Sequence, residues 1–277
     1  MRKLVRSVLV SLGVSVVIGF APMPAEADGG AVGVLVLKEH GVGSAAQAQP
    51  YVDKFIALAA KQNGWTEAKG QYHTTRSSAE TFIQSQKPQF GILSLAAFLA
   101  LKGKHNLEVV GQVATSRVGG MQYHLISKSQ SDLAACKGKK LASDHVNDVK
   151  FIENVVAAGK WKLSDFKLIQ TQRPLQTIKK VSGGDAECAL IDDAQLAELS
   201  HLEGADGIRS VWNSDKLPPM AVVAFPSAPA AQRKGLAATL SKLCDGEGKS
   251  ICAEVGIQSL KNAGAADYAT VMTAYGK

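Results

Sequence analysis

Strand-like and helix-like segments alternate along the sequence. In the first part, apolar runs at 31–38, 90–93 and 108–113 are separated by amphipathic stretches at 50–62 and 95–101. Strands that alternate with helices are typical of βαβ units, in which helices cover a mostly parallel sheet. The sequence therefore predicts an α/β fold.

The same alternation starts again after Gly119 and Gly120. Strand-like runs occur at 122–127, 139–143, 166–171 and 188–191, with helical segments at 149–158, 174–181 and 194–201. Two such series predict two lobes, each with a mostly parallel sheet flanked by helices. Two chain crossings, near 117–120 and 220–225, would join the lobes and leave a cleft between them.

The lobe boundaries follow from this division. We expect 28–117 together with 225–277 to form the first lobe, and 118–224 to form the second. The segments 208–212 and 220–225 are predicted to be strands that return toward the first lobe, with helices at 230–244 and 266–275 packed on that lobe.

The amino terminus has the pattern of a secretory signal. Arg2, Lys3 and Arg6 precede an apolar run at 8–20, and Ala25-Glu26-Ala27 is an A-x-A cleavage sequence. The apolar run is shorter than the roughly 20 residues that span a bilayer. We therefore expect 1–27 to be a cleavable signal peptide and the mature chain to be periplasmic. No cysteine lies near the cleavage sequence, so no lipid anchor is predicted.

The charge of the chain is a modest excess of basic residues. The formal net charge is +7 over 277 residues, and the basic residues are scattered rather than interleaved with aromatic ones. Nucleic-acid-binding domains usually carry a concentrated basic face. We therefore expect no nucleic-acid partner. We also expect the chain to be a monomer.

Four cysteines in an exported chain indicate disulfides, because the compartment is oxidising. Cys244 and Cys252 enclose a short polar loop, and Cys136 and Cys188 each precede a predicted strand. We expect the pairs 136–188 and 244–252, although spacing leaves the other two connectivities open.

Three segments resemble the phosphate, phosphite and phosphonate-binding proteins of ABC importers, which have the type II periplasmic binding protein fold. They are the strand-serine-helix segment that begins at Phe90, the segment DLAACKGKKLA that begins at Asp132, and the segment GDAECALIDD that begins at Gly184. A return element at 208–225 is also similar. The resemblance implies that the chain captures a small ligand in a cleft between its lobes and delivers it to an ABC transporter permease. The implied ligand is a phosphonate- or phosphate-like oxyanion.

One segment departs from that family. Its phosphonate binders have a serine and threonine cluster after the strand of the second lobe, where this chain has Ser143-Asp-His-Val-Asn-Asp148. A helix amino terminus attracts anions, and carboxylates at that end compete for the same place. Asp144 and Asp148 are therefore expected to disfavour a dianion. A simple helix-capping role for one of them is the alternative.

Ligands of open α/β sheets bind beyond the carboxyl ends of the strands. The candidate ligand-binding residues occupy such positions: His40, Gly41, His73, Thr74, Thr75, Ser94, Ser143, Asp144, His145 and Asp192. Thr74, Thr75 and Ser94 are hydroxyl donors suited to an oxyanion, although the same residue types are common helix caps.

Other classes of function remain as alternatives. His40, His73 and His145, with a carboxylate such as Asp144 or Asp192, would suit zinc or copper. No H-x-x-x-H spacing supports such a site, so no resident metal or cofactor is predicted.

Two further alternatives concern an apolar ligand and catalysis. Leu95, Phe98 and Val146, if they line the cleft, would suit an apolar ligand. The patterns G-x-S-x-G and H-E-x-x-H do not occur, so no catalytic residue is predicted. An enzyme or sensory partner on the same fold is the remaining class.

Overall fold

The fold was obtained as a computed structural model that describes residues 31–40, 44–115 and 119–277. The predicted signal peptide at 1–27 lies outside the described residues, as do the candidate Gly41 and part of the first predicted crossing at 117–118. The described chain forms two sheets with flanking helices, so the predicted α/β fold with two sheets is confirmed.

The first sheet consists of β1 (Val32–Leu37), β2 (Ala68–His73), β3 (Phe90–Leu93), β4 (Glu108–Thr115), β10 (Met220–Ala224) and β11 (Ile257–Lys261). The strand order is β11-β4-β10-β3-β1-β2. β1 is parallel to β2 and β3, whereas β10 runs antiparallel between β3 and β4.

The second sheet consists of β5 (Tyr123–Ser127), β6 (Lys140–Ser143), β7 (Lys167–Gln170), β8 (Cys188–Asp192) and β9 (Arg209–Asn213). The strand order is β7-β6-β8-β5-β9. β6 is parallel to β7 and β8, and β5 runs antiparallel between β8 and β9.

The α-helices are α1 (Ala45–Asn63), α2 (Arg76–Gln86), α3 (Leu95–His105), α4 (Leu133–Cys136), α5 (Pro174–Ser182), α6 (Asp193–Ala197), α7 (Ala230–Thr239), α8 (Gly248–Glu254) and α9 (Ala269–Tyr275). A π-helix at Phe151–Val156 occupies the segment predicted as an α-helix at 149–158. No helix among the described residues is both long and apolar enough to cross a membrane.

Alternate residues of the strands pack on opposite faces of each sheet, as the two-residue period of a strand requires. In β1, Val32 and Val34 pack in the same cluster as Phe55 of α1, whereas Leu35 and Leu37 belong to the cluster on the other face. Burial on both faces explains the nearly continuous apolar sequence of this strand.

The structure corrects the predicted lobe boundary at one strand and the predicted direction of another. The predicted boundary leaves β10 in the second lobe, but β10 pairs with β3 and β4 of the first sheet, in agreement with the predicted return of 220–225 toward the first lobe. β9 was expected to return toward the first lobe, but it pairs with β5 of the second sheet. The second crossing is therefore the segment 214–219 rather than 220–225. Backbone pairing decides which sheet a strand joins, and the composition of the strand does not reveal it.

The last helix was expected to pack on the first lobe alone. α9 contacts α3 of the first lobe, but it also contacts the π-helix of the second lobe. One apolar cluster accordingly includes Leu95 and Phe98 of α3 together with Phe151 of the π-helix. The two lobes are thus in direct apolar contact.

Both predicted cysteine pairs are at disulfide distance. The Cα atoms of Cys136 and Cys188 are 6.2 Å apart, and those of Cys244 and Cys252 are 5.6 Å apart. The first pair is possible because the strands that follow the two cysteines, β6 and β8, are neighbours in the sheet.

Candidate functional site

The candidate site lies where the chain leaves the carboxyl ends of β1 in the first lobe and β6 in the second. His40 follows β1, and Asp144 and His145 follow β6. Nδ1 of His40 is 3.5 Å from Oδ2 of Asp144, and the ring centres of His40 and His145 are 4.4 Å apart. These contacts join one residue of the first lobe to two residues of the second.

The backbone at His40 has an uncommon conformation. Its φ is +60°, in the left-handed region that few residues other than glycine adopt. The His40 ring lies within reach of Asp144. Unusual backbone angles of this kind concentrate at functional sites.

The Asp144 carboxylate is buried and only partly satisfied. Its Oδ1 accepts hydrogen bonds from Thr177 Oγ1 and Gln195 Nε2, both at 3.0 Å. Its Oδ2 is buried without a hydrogen-bond partner among the described residues. Burial alone would raise the pKa of Asp144, but His145, His40 and Gln195 more than offset this effect, so the pKa lies well below its usual range. Asp144 is therefore a carboxylate at neutral pH.

The His145 imidazole is held from several sides. Its Nε2 is 3.1 Å from Oε1 of Gln195, its backbone N–H donates to Ser143 Oγ, and its ring meets the edge of Tyr123 at 5.1 Å. Burial and the neighbouring His40 lower the pKa of His145 to about 4. The ring is therefore neutral at physiological pH, and a neutral imidazole can accept a cation.

A narrow cavity lies beside this cluster, between the lobes, and its space is about 510 Å³ when the part open to solvent is included. His40 and His145 form part of its wall. On the first-lobe side the wall includes Lys38, which is buried, and Ser94, which precedes α3. The Ser94 Oγ atom is buried and has no hydrogen-bond partner among the described residues.

Asp192 of the second lobe completes the wall, and Asp192 and Asp193 both contact the first crossing. Asp193 accepts a hydrogen bond of 2.7 Å from the Gly120 backbone N–H, and Asp192 packs so closely on Gly119 that a Cβ there would lie 2.0 Å from Asp192 Oδ2. Burial raises the pKa of Asp192 to about 6. Burial lowers the pKa of Lys38, and the charges of Asp192 and Asp193 oppose this shift.

A wider opening lies on the outer side of His40 and Asp144, with an empty volume of about 2200 Å³. Thr74, Thr75 and Arg76 line it. Arg76 contacts the Glu39 carboxylate at 2.9 Å and Asp148 Oδ2 of the second lobe at 2.7 Å. Asp148 also accepts a 3.0 Å hydrogen bond from the Phe151 N–H, which is the capping role that the sequence left as an alternative.

The predicted site residues fall into different places. His40, Ser94, His145 and Asp192 line the narrow cavity, and Asp144, Thr74 and Thr75 line the wider opening, where Thr75 also caps α2. Ser143 is buried and donates to the Leu190 carbonyl at 2.8 Å.

His73 does not join the other histidines. Its Nδ1 lies 3.1 Å from Ser78 Oγ, and its ring packs on Phe82 at 5.1 Å. The predicted trio of His40, His73 and His145 therefore does not form a single group. The expected apolar lining also differs, because Phe98 and Val146 belong to the packed core and only Leu95 reaches the narrow cavity.

Several residues of the site were not predicted from the sequence. Lys38, Glu39, Arg76, Tyr123 and Gln195 all contact the candidate residues or line the cavity. Gln195 had a detectable signal, because Asp192 followed three residues later by Gln195 is a capping-box pattern. Lys38 ends a predicted strand and Glu39 directly follows it, beside the candidate His40.

Comparisons with solved structures support the same fold. A binding protein component of an ABC phosphonate transporter from Pseudomonas aeruginosa is 14% identical, with a TM-score of 0.66 over 89% of this chain and 86% of that chain. PhnD1 from Prochlorococcus marinus, in complex with methylphosphonate, is 10% identical, with a TM-score of 0.66 over 88% of this chain and 96% of that chain.

A Xanthomonas citri protein solved bound to ATP is 9% identical, with a TM-score of 0.68 over 89% of this chain and 96% of that chain. A search of curated protein sequences gives no match. Residues 44–268 match the family described as ABC transporter, phosphonate, periplasmic substrate-binding protein. Since this match extends over most of the sequence, the chain belongs to the family of periplasmic substrate-binding proteins of phosphonate ABC transporters.

Proposed function

We propose that the protein binds a phosphonate- or phosphate-like oxyanion in the narrow cavity between its lobes and delivers it to an ABC transporter permease. The observation that carries the proposal is the buried Ser94 hydroxyl, which borders the cavity without a hydrogen-bond partner among the described residues. A buried polar group without a partner costs free energy, and a ligand oxygen would satisfy it.

The position of Ser94 in the fold supports an anionic ligand. Ser94 directly precedes α3, a helix of 11 residues. The first backbone N–H groups of a helix have no partner within the helix, and its dipole favours negative charge at that end. The Lys38 side chain borders the same cavity and adds a cationic group.

The carboxylates of the second lobe weigh less against an oxyanion than the sequence suggested. Arg76 contacts Asp148 at 2.7 Å and so offsets its charge. Burial raises the pKa of Asp192 to about 6, so a fraction of this group is protonated in mildly acidic solution. Asp144 keeps its negative charge.

Hinge motion between two lobes would let the ligand enter. The proposed first lobe is 31–115 with 220–277, and the proposed second lobe is 119–213. Hinges are a few loop residues that absorb a change in backbone angles. The crossings around Gly119 and at 214–219 fit this role. We further propose that 1–27 is removed on export, and that the mature chain acts as an unanchored monomeric receptor and not as an enzyme.

Isothermal titration calorimetry with methylphosphonate and inorganic phosphate tests the proposal, with small-angle scattering of the same samples. We expect saturable binding at one site per chain and a rise in melting temperature, because a ligand that binds only the folded state stabilises it. The Ser94→Ala and Lys38→Met variants should each bind roughly 10-fold more weakly or worse, as expected for loss of a hydrogen bond to a charged ligand.

Matched substitutions on the surface provide the control. Ser131 is exposed, and the Lys69 side chain is 78% exposed. Ser131→Ala and Lys69→Met should bind as the unmodified protein does. Equal affinities of the Ser94→Ala and Ser131→Ala variants for the anion would contradict its assignment to the narrow cavity. If neither methylphosphonate nor phosphate binds, the oxyanion proposal is wrong.

A further inference from the structure

Three side chains at the junction of the lobes carry atoms that commonly bind metal ions. One donor atom from each of His40, Asp144 and His145 lies within 4.8 Å of the other two. Among the described residues they form the only such group of three. We propose that these residues form a site for a divalent transition-metal ion, with Zn²⁺ as the best match, that joins the two lobes.

The donor types match the chemistry of zinc. Two imidazoles and one carboxylate are a common three-residue set for Zn²⁺, which keeps a fourth position for water or a ligand. Ligand atoms around a tetrahedral zinc are about 3.4 Å apart, given zinc bonds of about 2.0–2.2 Å. His40 and Asp144 already meet that spacing, at 3.5 Å. The three donor atoms lie within 4.8 Å of one another, so binding of Zn²⁺ would draw them closer together.

Neighbouring side chains hold two of the three residues by hydrogen bonds, as is usual for metal ligands. Gln195 contacts both Asp144 and His145, at 3.0 Å and 3.1 Å, and Thr177 donates to Asp144. Outer hydrogen bonds of this kind orient metal ligands. They engage Oδ1 of Asp144 and leave Oδ2, which is buried without a hydrogen-bond partner and faces His40. A buried carboxylate oxygen in this state is a place for a cation.

The site borders the proposed anion cavity but does not depend on it. His40 and His145 line that cavity, so a metal ion held by them would offset the charge of Asp144 next to a bound oxyanion. Binding free energies are reciprocal: if Zn²⁺ raises the affinity for the anion, the anion raises the affinity for Zn²⁺ by the same factor.

The test is calorimetric titration of ZnCl₂ into the mature protein after treatment with a chelator, with the metal content after dialysis measured by mass spectrometry. We expect one ion per chain. The visible spectrum of the Co²⁺-substituted protein should show the strong bands of tetrahedral coordination. Because the His40 side chain is 25% exposed, His40→Ala should fold. It should bind Zn²⁺ at least 100-fold more weakly.

His201→Ala is the matched control, since His201 is exposed and is not one of the three residues of the cluster. It should bind Zn²⁺ with unchanged affinity. A stoichiometry well below one, or equal affinities in the two histidine variants, would overturn the metal site. In that case His40 and Asp144 form only a polar contact between the lobes.

The outcomes also separate the metal site from the proposed function. Zinc binding without methylphosphonate binding would support the metal site and contradict the anion proposal. Methylphosphonate binding by a protein that takes no zinc would contradict the metal site alone.

Discussion

Arg76 of the first lobe contacts Asp148 of the second lobe, with 2.7 Å between Nη2 and Oδ2. The two side chains are largely shielded from solvent, at 28% and 12% exposure. Tyr275 adds a contact of 3.2 Å from its hydroxyl to the same carboxylate. The contact between the two lobes therefore includes a charged pair that separation of the lobes would break.

Removal of this pair should favour the open form. Arg76→Met keeps the apolar stem of the side chain but loses the charge, and should lower the free energy of unfolding by about 1–3 kcal/mol. The radius of gyration from small-angle scattering should rise. Lys54→Met, which breaks an exposed ion pair within the first lobe, should cost less than about 1 kcal/mol. Equal effects of the two variants would contradict the role of Arg76 between the lobes.

The first crossing requires glycine at position 119. A Cβ at Gly119 would lie 2.0 Å from Asp192 Oδ2, so Gly119→Ala forces Asp192 or the crossing to move. We expect a loss of about 1–3 kcal/mol in the free energy of unfolding, measured by chemical denaturation. Gly103→Ala in α3 is the control, because a Cβ at that position would have no neighbouring atom within 4 Å. It should be neutral or stabilising by up to about 1 kcal/mol.

Asp192 should make stability depend on pH. Burial raises its pKa from the ordinary value of 3.8 to about 6 in the folded state, so the folded chain binds more protons than the unfolded chain between these values. Its contribution to stability therefore falls as pH rises from about 4 to about 6. A shift of this size corresponds to about 3 kcal/mol.

The Asp192→Asn variant isolates this effect. It keeps a side-chain oxygen for the Gln195 backbone N–H but does not titrate. Denaturation of both proteins at several pH values should show the unmodified chain losing stability relative to the variant up to about pH 6, with little change above about pH 7. Other titrating groups, including His145, are common to both chains. A difference that is constant with pH would contradict the raised pKa.

The two disulfides should differ in their contribution. The Cys136–Cys188 pair spans 52 residues and the Cys244–Cys252 pair spans 8. A longer loop loses more entropy on closure, which corresponds to about 4 kcal/mol for the first pair and about 2.5 kcal/mol for the second. The double alanine variant of Cys136 and Cys188 should therefore unfold at lower denaturant than the matched variant of Cys244 and Cys252. The reverse order would show that loop entropy does not dominate.

The position of strand ends was the strongest guide to the site in the sequence. Ser94, Asp144, His145 and Asp192 directly follow or end predicted strands, and His40 comes a few residues after one. All five line one of the two cavities between the lobes. His73 also ends a predicted strand, yet its ring packs on Phe82. Strand ends show which residues reach an edge of the sheet, but the direction of each side chain depends on its neighbours.

Local patterns in the sequence were enough to predict the α/β class and the two series of strands and helices, because these follow from periodicity. The expected cysteine pairs were one of three connectivities that the spacing allowed, and the structure brings these pairs to disulfide distance. Tertiary contacts place β9 in the second sheet and α9 against both lobes. They also bring His40 to Asp144 and His145, which are more than 100 positions away in sequence. Such long-range contacts arise from the packing of the lobes against each other, and no local pattern in the sequence encodes that packing.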